Sequence, residues 1–186
     1  MERISQSSTG AEPAHVRALL GGRARGNAHM GVLLVSPTTW TVHGKRYYSR
    51  PHVCSGGCAT ASALRVLGPL LDLLARGHTA RLLTTNTLIS DLIARWQGGD
   101  TTLPAWYTPH TTPGALHEIA NRIRDLDAGK LTVVVTSTQH PLTTFCDRAL
   151  SATFDALNSR NTPSRIERVK ADLAAAIGAL TRELPD

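Results

Sequence analysis

Cys54-Ser55-Gly56-Gly57-Cys58, with His52 just upstream, offers the ligand types that zinc accepts. A structural zinc site pairs two such clusters, and the only other cysteine is Cys146. Unbonded thiols at a strand-to-helix junction are therefore the better reading, with no metal expected there. Ser137, His140 and Asp147 supply the side-chain types of a nucleophile, a base and an orienting acid. No Gly-x-Ser-x-Gly elbow presents the serine, which argues against a hydrolase. Arg23 and Arg25 sit in the Gly-rich stretch from Gly21 to Asn27, and Arg46 and Arg50 are expected on the neighbouring strand. Guanidinium groups grip phosphate through parallel hydrogen bonds, so these four could cradle one; a solvated hairpin tip fits the same residues equally well. Asn86 closes the run Leu82-Leu83-Thr84-Thr85-Asn86, and its amide offers a metal one neutral oxygen and no charge. Trp40, Trp96 and Trp106 could stack bases, although Trp96, at the end of an apolar helix face, reads as core.

The elements that must position these residues follow from hydrophobic period. His15 to Leu20, Met30 to Val35 and Trp40 to Tyr48 read as three strands of an antiparallel meander, with Gly21 to Asn27 and Ser36 to Thr39 as turns. Ala59 to Arg76 repeats its apolar residues at helical period, with a bend or break at Pro69 and a stop at Gly77. Strand Ala80 to Thr84 and helix Thr87 to Trp96 come next, and then a Gly/Pro/Thr-rich loop that Trp106 and Tyr107 anchor. Helix Ala115 to Leu126, the β-branched strand Leu131 to Val135, and a helix from Leu142 to Leu157 complete the domain. The expected organisation is a polar lead-in over residues 1–13, one domain over 14–157, and a linker with an amphipathic helix over 158–186. Three antiparallel strands followed by αβ units predict a mixed α/β sheet with flanking helices.

This order, and three segments, resemble the ribonuclease H (type I) family. They are the strand-to-helix corner at Asn86, the run Val133 to Ala152 with Gln139-His140-Pro141 and Asp147, and the stretch Val16 to Val35 with its Gly-rich turn. The resemblance spans His15 to Leu157 and implies a ribonuclease H-like mixed sheet, with an extra C-terminal helix beyond the family's domain. The family's reaction holds two divalent cations with four carboxylates across the scissile phosphate. The resemblance puts those positions at Gly21, Thr60, Asn86 and Asp147, so only the last stays acidic; Asp147 reads equally as a retained metal ligand or as a solvated helix-start residue. No Asp or Glu lies between Glu12 and Asp72 to replace the first two. The family's paired Asn that touches the RNA minor groove corresponds to Gly56-Gly57, which weakens selective recognition of hybrids.

The chain has 186 residues, 20 Lys and Arg against 14 Asp and Glu, a net charge of +6 and a pI near 9.8. A basic surface attracts phosphate backbones, and Arg-rich usage for solubility alone produces the same sum. No apolar run spans a bilayer and the N-terminus lacks the apolar core of a signal peptide, so no membrane partner and a cytoplasmic location are expected. In the tail, Ile166, Val169, Leu173, Ala176 and Leu180 form a heptad stripe that would dock on its own domain or on a second copy as a homodimer. The leading expectation is an inactive ribonuclease H-like protein that binds nucleic acid (RNA, DNA or hybrid) or regulates, without a cofactor. The alternatives are a protein-binding or dimeric scaffold, and an active nuclease using Mg2+ or Mn2+ at an unusual site.

Overall fold

The structure is a computed structural model that describes residues 14–25, 28–36, 41–48, 58–106 and 113–137, together with positions 144, 151 and 171. Readings that concern residues 1–13, Trp40, Arg50, His52, Cys54, Tyr107, His140, Asp147 or the two C-terminal helices as elements lie outside the described residues.

Among the described residues five strands form one sheet: β1 His15–Arg25, β2 Ala28–Ser36, β3 Thr41–Tyr48, β4 Thr79–Thr84 and β5 Leu131–Val135. Their order across the sheet is β3-β2-β1-β4-β5. The first three pair antiparallel, while β4 and β5 join β1 by parallel pairing, as the sequence predicts for a mixed sheet. Helices α1 Cys58–Arg65, α2 Gly68–Ala75, α3 Thr87–Gln97 and α4 Pro113–Arg124 lie along the connections. The expected break at Pro69 falls where α1 and α2 separate, because proline at the first turn of α2 costs that helix no bond but cannot continue α1. Gly77 ends α2 with φ of +99°, a conformation glycine adopts without a Cβ penalty.

One expectation is corrected. The stretch Gly21 to Arg25 is not a turn: β1 runs straight through it, and each residue from Arg17 to Arg25 has a partner on β2. Glycines inside a strand also mark a close backbone approach, and that is their role here. Gly22 and Gly31 are cross-strand partners, and both face α1. A methyl built on Gly22 would overlap the carbonyl oxygen of Ala59, and one on Gly31 would overlap that of Ser62. The helix therefore rests directly on sheet backbone, and its small residues Ala59, Thr60, Ala61, Ser62 and Ala63 make that approach possible.

Strand alternation divides the sheet into two faces. Val16, Ala18 and Leu20 on β1, Leu33 and Val35 on β2, and Ala80 and Leu82 on β4 point to the helices. They pack with Leu64, Leu67, Leu70, Ile89, Ile93, Trp96, Leu116 and Ile123 in one core. Trp96 is fully buried, as its place on the apolar helix face predicts, and Trp106 packs against the same core. On the other face, Leu34, Leu19 and Leu83 form a buried row across β2, β1 and β4. Among the described residues no helix is long and apolar enough to cross a membrane.

Candidate functional site

The parallel strands β1, β4 and β5 all point their C-terminal ends toward Asn86, which is also the N-cap of α3. Its backbone is extended (φ −100°, ψ 108°), and its Oδ1 accepts from the Leu88 backbone N–H at 3.0 Å. This cap satisfies one of the donors that every helix N-terminus leaves open. The rest of the side chain is also engaged. Its Nδ2 donates to Thr60 Oγ1 at 2.9 Å, and its backbone N–H donates to Thr84 Oγ1 at 3.2 Å. Thr60 and Thr84 are both buried, while Asn86 is half-buried. Just past β5, the Thr136 backbone N–H donates to the Thr84 carbonyl at 2.9 Å and ties the end of that strand to β4 beside the corner.

Positions 60 and 86, which stand 26 residues apart, are thus in direct contact. Gly21 adjoins them, because its neighbour Gly22 lies against Ala59, the residue before Thr60. Three of the four positions singled out in the sequence meet at this corner, and the fourth, Asp147, lies outside the described residues. Among the described residues the corner's chemistry is neutral. Gly21 has no side chain, and Thr60 and Asn86 carry no charge and spend their polar atoms on each other and on the α3 cap. Such a set does not fit a pair of divalent cations, which need several anionic oxygens held open toward them. Among the described residues no three His, Cys, Asp or Glu side chains come together.

None of the five strands contains Asp or Glu, and between them they carry Arg17, Arg23, Arg25, Arg46 and Arg81. The register places all five arginine positions on one face, the one turned away from α1. Positions 23 and 46 share a cross-strand row through Met30, and positions 17 and 81 are lateral partners. Positions 23 and 25 follow Gly21 on β1 and so adjoin the corner. Arg46 is one strand further from β1 than a hairpin-tip reading implies, since β2 stands between. The Thr60 contact, the buried Thr84 hydroxyl and the lateral pair Arg17 and Arg81 escape sequence reasoning. The even spacing of positions 17, 23 and 25 along one uninterrupted strand is the signal that would have found the shared face.

A cleft of about 450 Å³ lies at the opposite end of the parallel strands, between α2, α4 and the start of β5. Lys130 Nζ donates to the Gly77 carbonyl at 2.9 Å on its wall. It does not open on the Asn86 corner.

Fold and corner together define an α/β protein whose described residues form a five-stranded mixed sheet and an uncharged polar corner at the C-terminal ends of its parallel strands. No protein-family model matches the chain, and no curated protein matches it. Among solved structures the chain is similar to ribonuclease H1 from the halophilic archaeon Halobacterium salinarum NRC-1. The identity is 18% and the TM-score 0.36, over 64% of this chain and 85% of that one.

Proposed function

We propose that the chain is a ribonuclease H-like protein that binds nucleic acid without cleaving it, as an accessory or regulatory factor. The observation that carries this reading is the corner itself. Where the resemblance expects carboxylates, Asn86 and Thr60 hydrogen-bond each other across 2.9 Å, beside strands that hold arginines and no acid. Removing carboxylates takes away the means to hold metal and also the repulsion that a phosphate backbone would meet there. Arginine then neutralises the phosphate directly. Positions 23, 25 and 46 lie on one face, with 23 and 25 next to the corner and 46 two strands away, which suits a backbone passing over this end of the sheet. Arg50, read with them in the sequence, belongs to the same proposal.

The test is an electrophoretic shift panel over single-stranded, duplex and hybrid oligonucleotides, with and without Mg2+ or Mn2+. Binding that weakens with salt and leaves every oligonucleotide intact is the expected result. Replacing Arg23 and Arg25 together by Ala should lower the slope of log K against log salt by about two units, across all sequences alike. Metal-dependent cleavage abolished by Asp147→Asn would instead establish an active nuclease. No binding, or binding indifferent to salt, would favour a protein-binding scaffold.

A further inference from the structure

At the far end of the arginine face from the corner, Arg17 on β1 and Arg81 on β4 are lateral partners in the parallel register. Their backbones are about 4.8 Å apart, the usual strand spacing, and alternation sends both side chains to the same face. Neither makes an ion pair or hydrogen bond among the described residues, although Arg95, Arg122 and Arg124 each have a carboxylate partner. Arg81 is exposed and Arg17 partly so, and the next position in the row on β5, Thr132, is also exposed. In the adjoining row, His15 Nδ1 and Thr79 Oγ1 lie 3.0 Å apart.

Like charges on directly neighbouring strand positions destabilise a sheet, and no strand of this one supplies a carboxylate to offset them. Two guanidinium forks side by side present parallel N–H donors to one acceptor group, the arrangement a tetrahedral oxyanion accepts best. We infer that Arg17 and Arg81 form a phosphate-binding site, separate from the Asn86 corner. Arg23 lies six positions beyond Arg17 on extended β1, about 20 Å away, so the two basic ends of the face are distinct sites. A phosphate here comes from a nucleic-acid backbone, in which case the site extends the function proposed above, or from a small phosphorylated molecule, in which case it is independent of it.

The experiment titrates the full chain with inorganic phosphate and follows the Arg Nε–Hε resonances and the melting temperature against chloride at equal ionic strength. Wild type should shift two Arg resonances and melt higher in phosphate. Arg17→Gln and Arg81→Gln should each raise the apparent Kd about tenfold, the loss expected for one charge-assisted pair, and should melt no lower than wild type in chloride. A second arm measures oligonucleotide binding. If the double variant loses about two units of salt slope, the phosphate belongs to nucleic acid. If oligonucleotides bind equally well, or not at all, while inorganic phosphate still depends on both arginines, the source is a small phosphorylated ligand; in the second case the nucleic-acid function fails and the site stands. Phosphate without effect on wild type, or with an equal effect on the double variant, overturns the site.

Discussion

Gly22→Ala should cost about 2 to 3 kcal/mol of stability, and Gly31→Ala a similar amount. The overlap in both cases is with helix backbone, not with the movable end of a side chain. The added methyl at Gly22 meets the Ala59 carbonyl and then Ala63 Cβ at 3.1 Å; at Gly31 it meets the Ser62 carbonyl and then Ala63 Cα at 2.9 Å. Relief requires α1 to lift off the sheet, which opens the core around Ala63 and Leu64, both fully buried. For a chain of this length each kcal/mol moves the melting temperature by about 2 to 4 °C, so each single variant should melt roughly 5 to 10 °C lower. Because both methyls press on the same helix, the double variant should lose less than the sum of the two. Urea denaturation of the four proteins measures this, and full additivity would show that the two glycines do not act through one helix.

Asn86→Ala and Asn86→Asp should separate sharply. Alanine removes the cap of α3, about 1 kcal/mol, and takes from the buried Thr60 hydroxyl its amide partner, about 1 kcal/mol more. Aspartate keeps the bond from the Leu88 N–H, Thr60 can turn its hydroxyl to donate, and a negative charge at a helix N-terminus is favourable by about 0.3 to 1 kcal/mol. At pH 7 the aspartate variant should therefore be at least as stable as the parent. Its advantage should have a sign in pH. Hydrogen bonds to the carboxylate hold its folded pKa below the unfolded value of about 3.9. The gain is present above that value and is lost as pH falls through the folded pKa. Melting curves from pH 3 to 7 check both points. If aspartate is as harmful as alanine at pH 7, the fold itself demands the amide; if not, the neutrality of this corner belongs to what the protein does.

Much of this was legible in the chain because several segments state their structure locally. Thr132 to Val135 is β-branched throughout, α3 carries its cap and its apolar stripe, and Pro69 marks the break between helices. The exception in the fold is instructive. Gly21-Gly22 reads as a turn because glycine is the usual turn residue, yet a glycine facing a helix 37 residues further on looks the same in one dimension as a glycine in a bend. The site divides along the same line. Asn86 announces itself as a strand-to-helix corner, and the resemblance points to Thr60, but their hydrogen bond depends on how α1 crosses the sheet. Arg17 and Arg81 become neighbours only once β1 and β4 are known to pair in parallel, a contact that closes 64 residues of chain at His15 and Thr79.

The middle position of β1 has a consequence for how the protein assembles. On one side it pairs with β2 across a tight connection, a contact that forms quickly because little chain entropy is lost. On the other it waits for β4, and β5 can join only after β4 is in place. The meander would then be an early, local unit whose open β1 edge serves as the template for the rest of the sheet. Until β4 arrives, that edge exposes unpaired backbone groups, the kind of surface on which nascent chains stick to one another. Its arginines carry like charge into that interval, and their mutual repulsion between molecules would keep unfinished copies apart while the slower half of the sheet arrives.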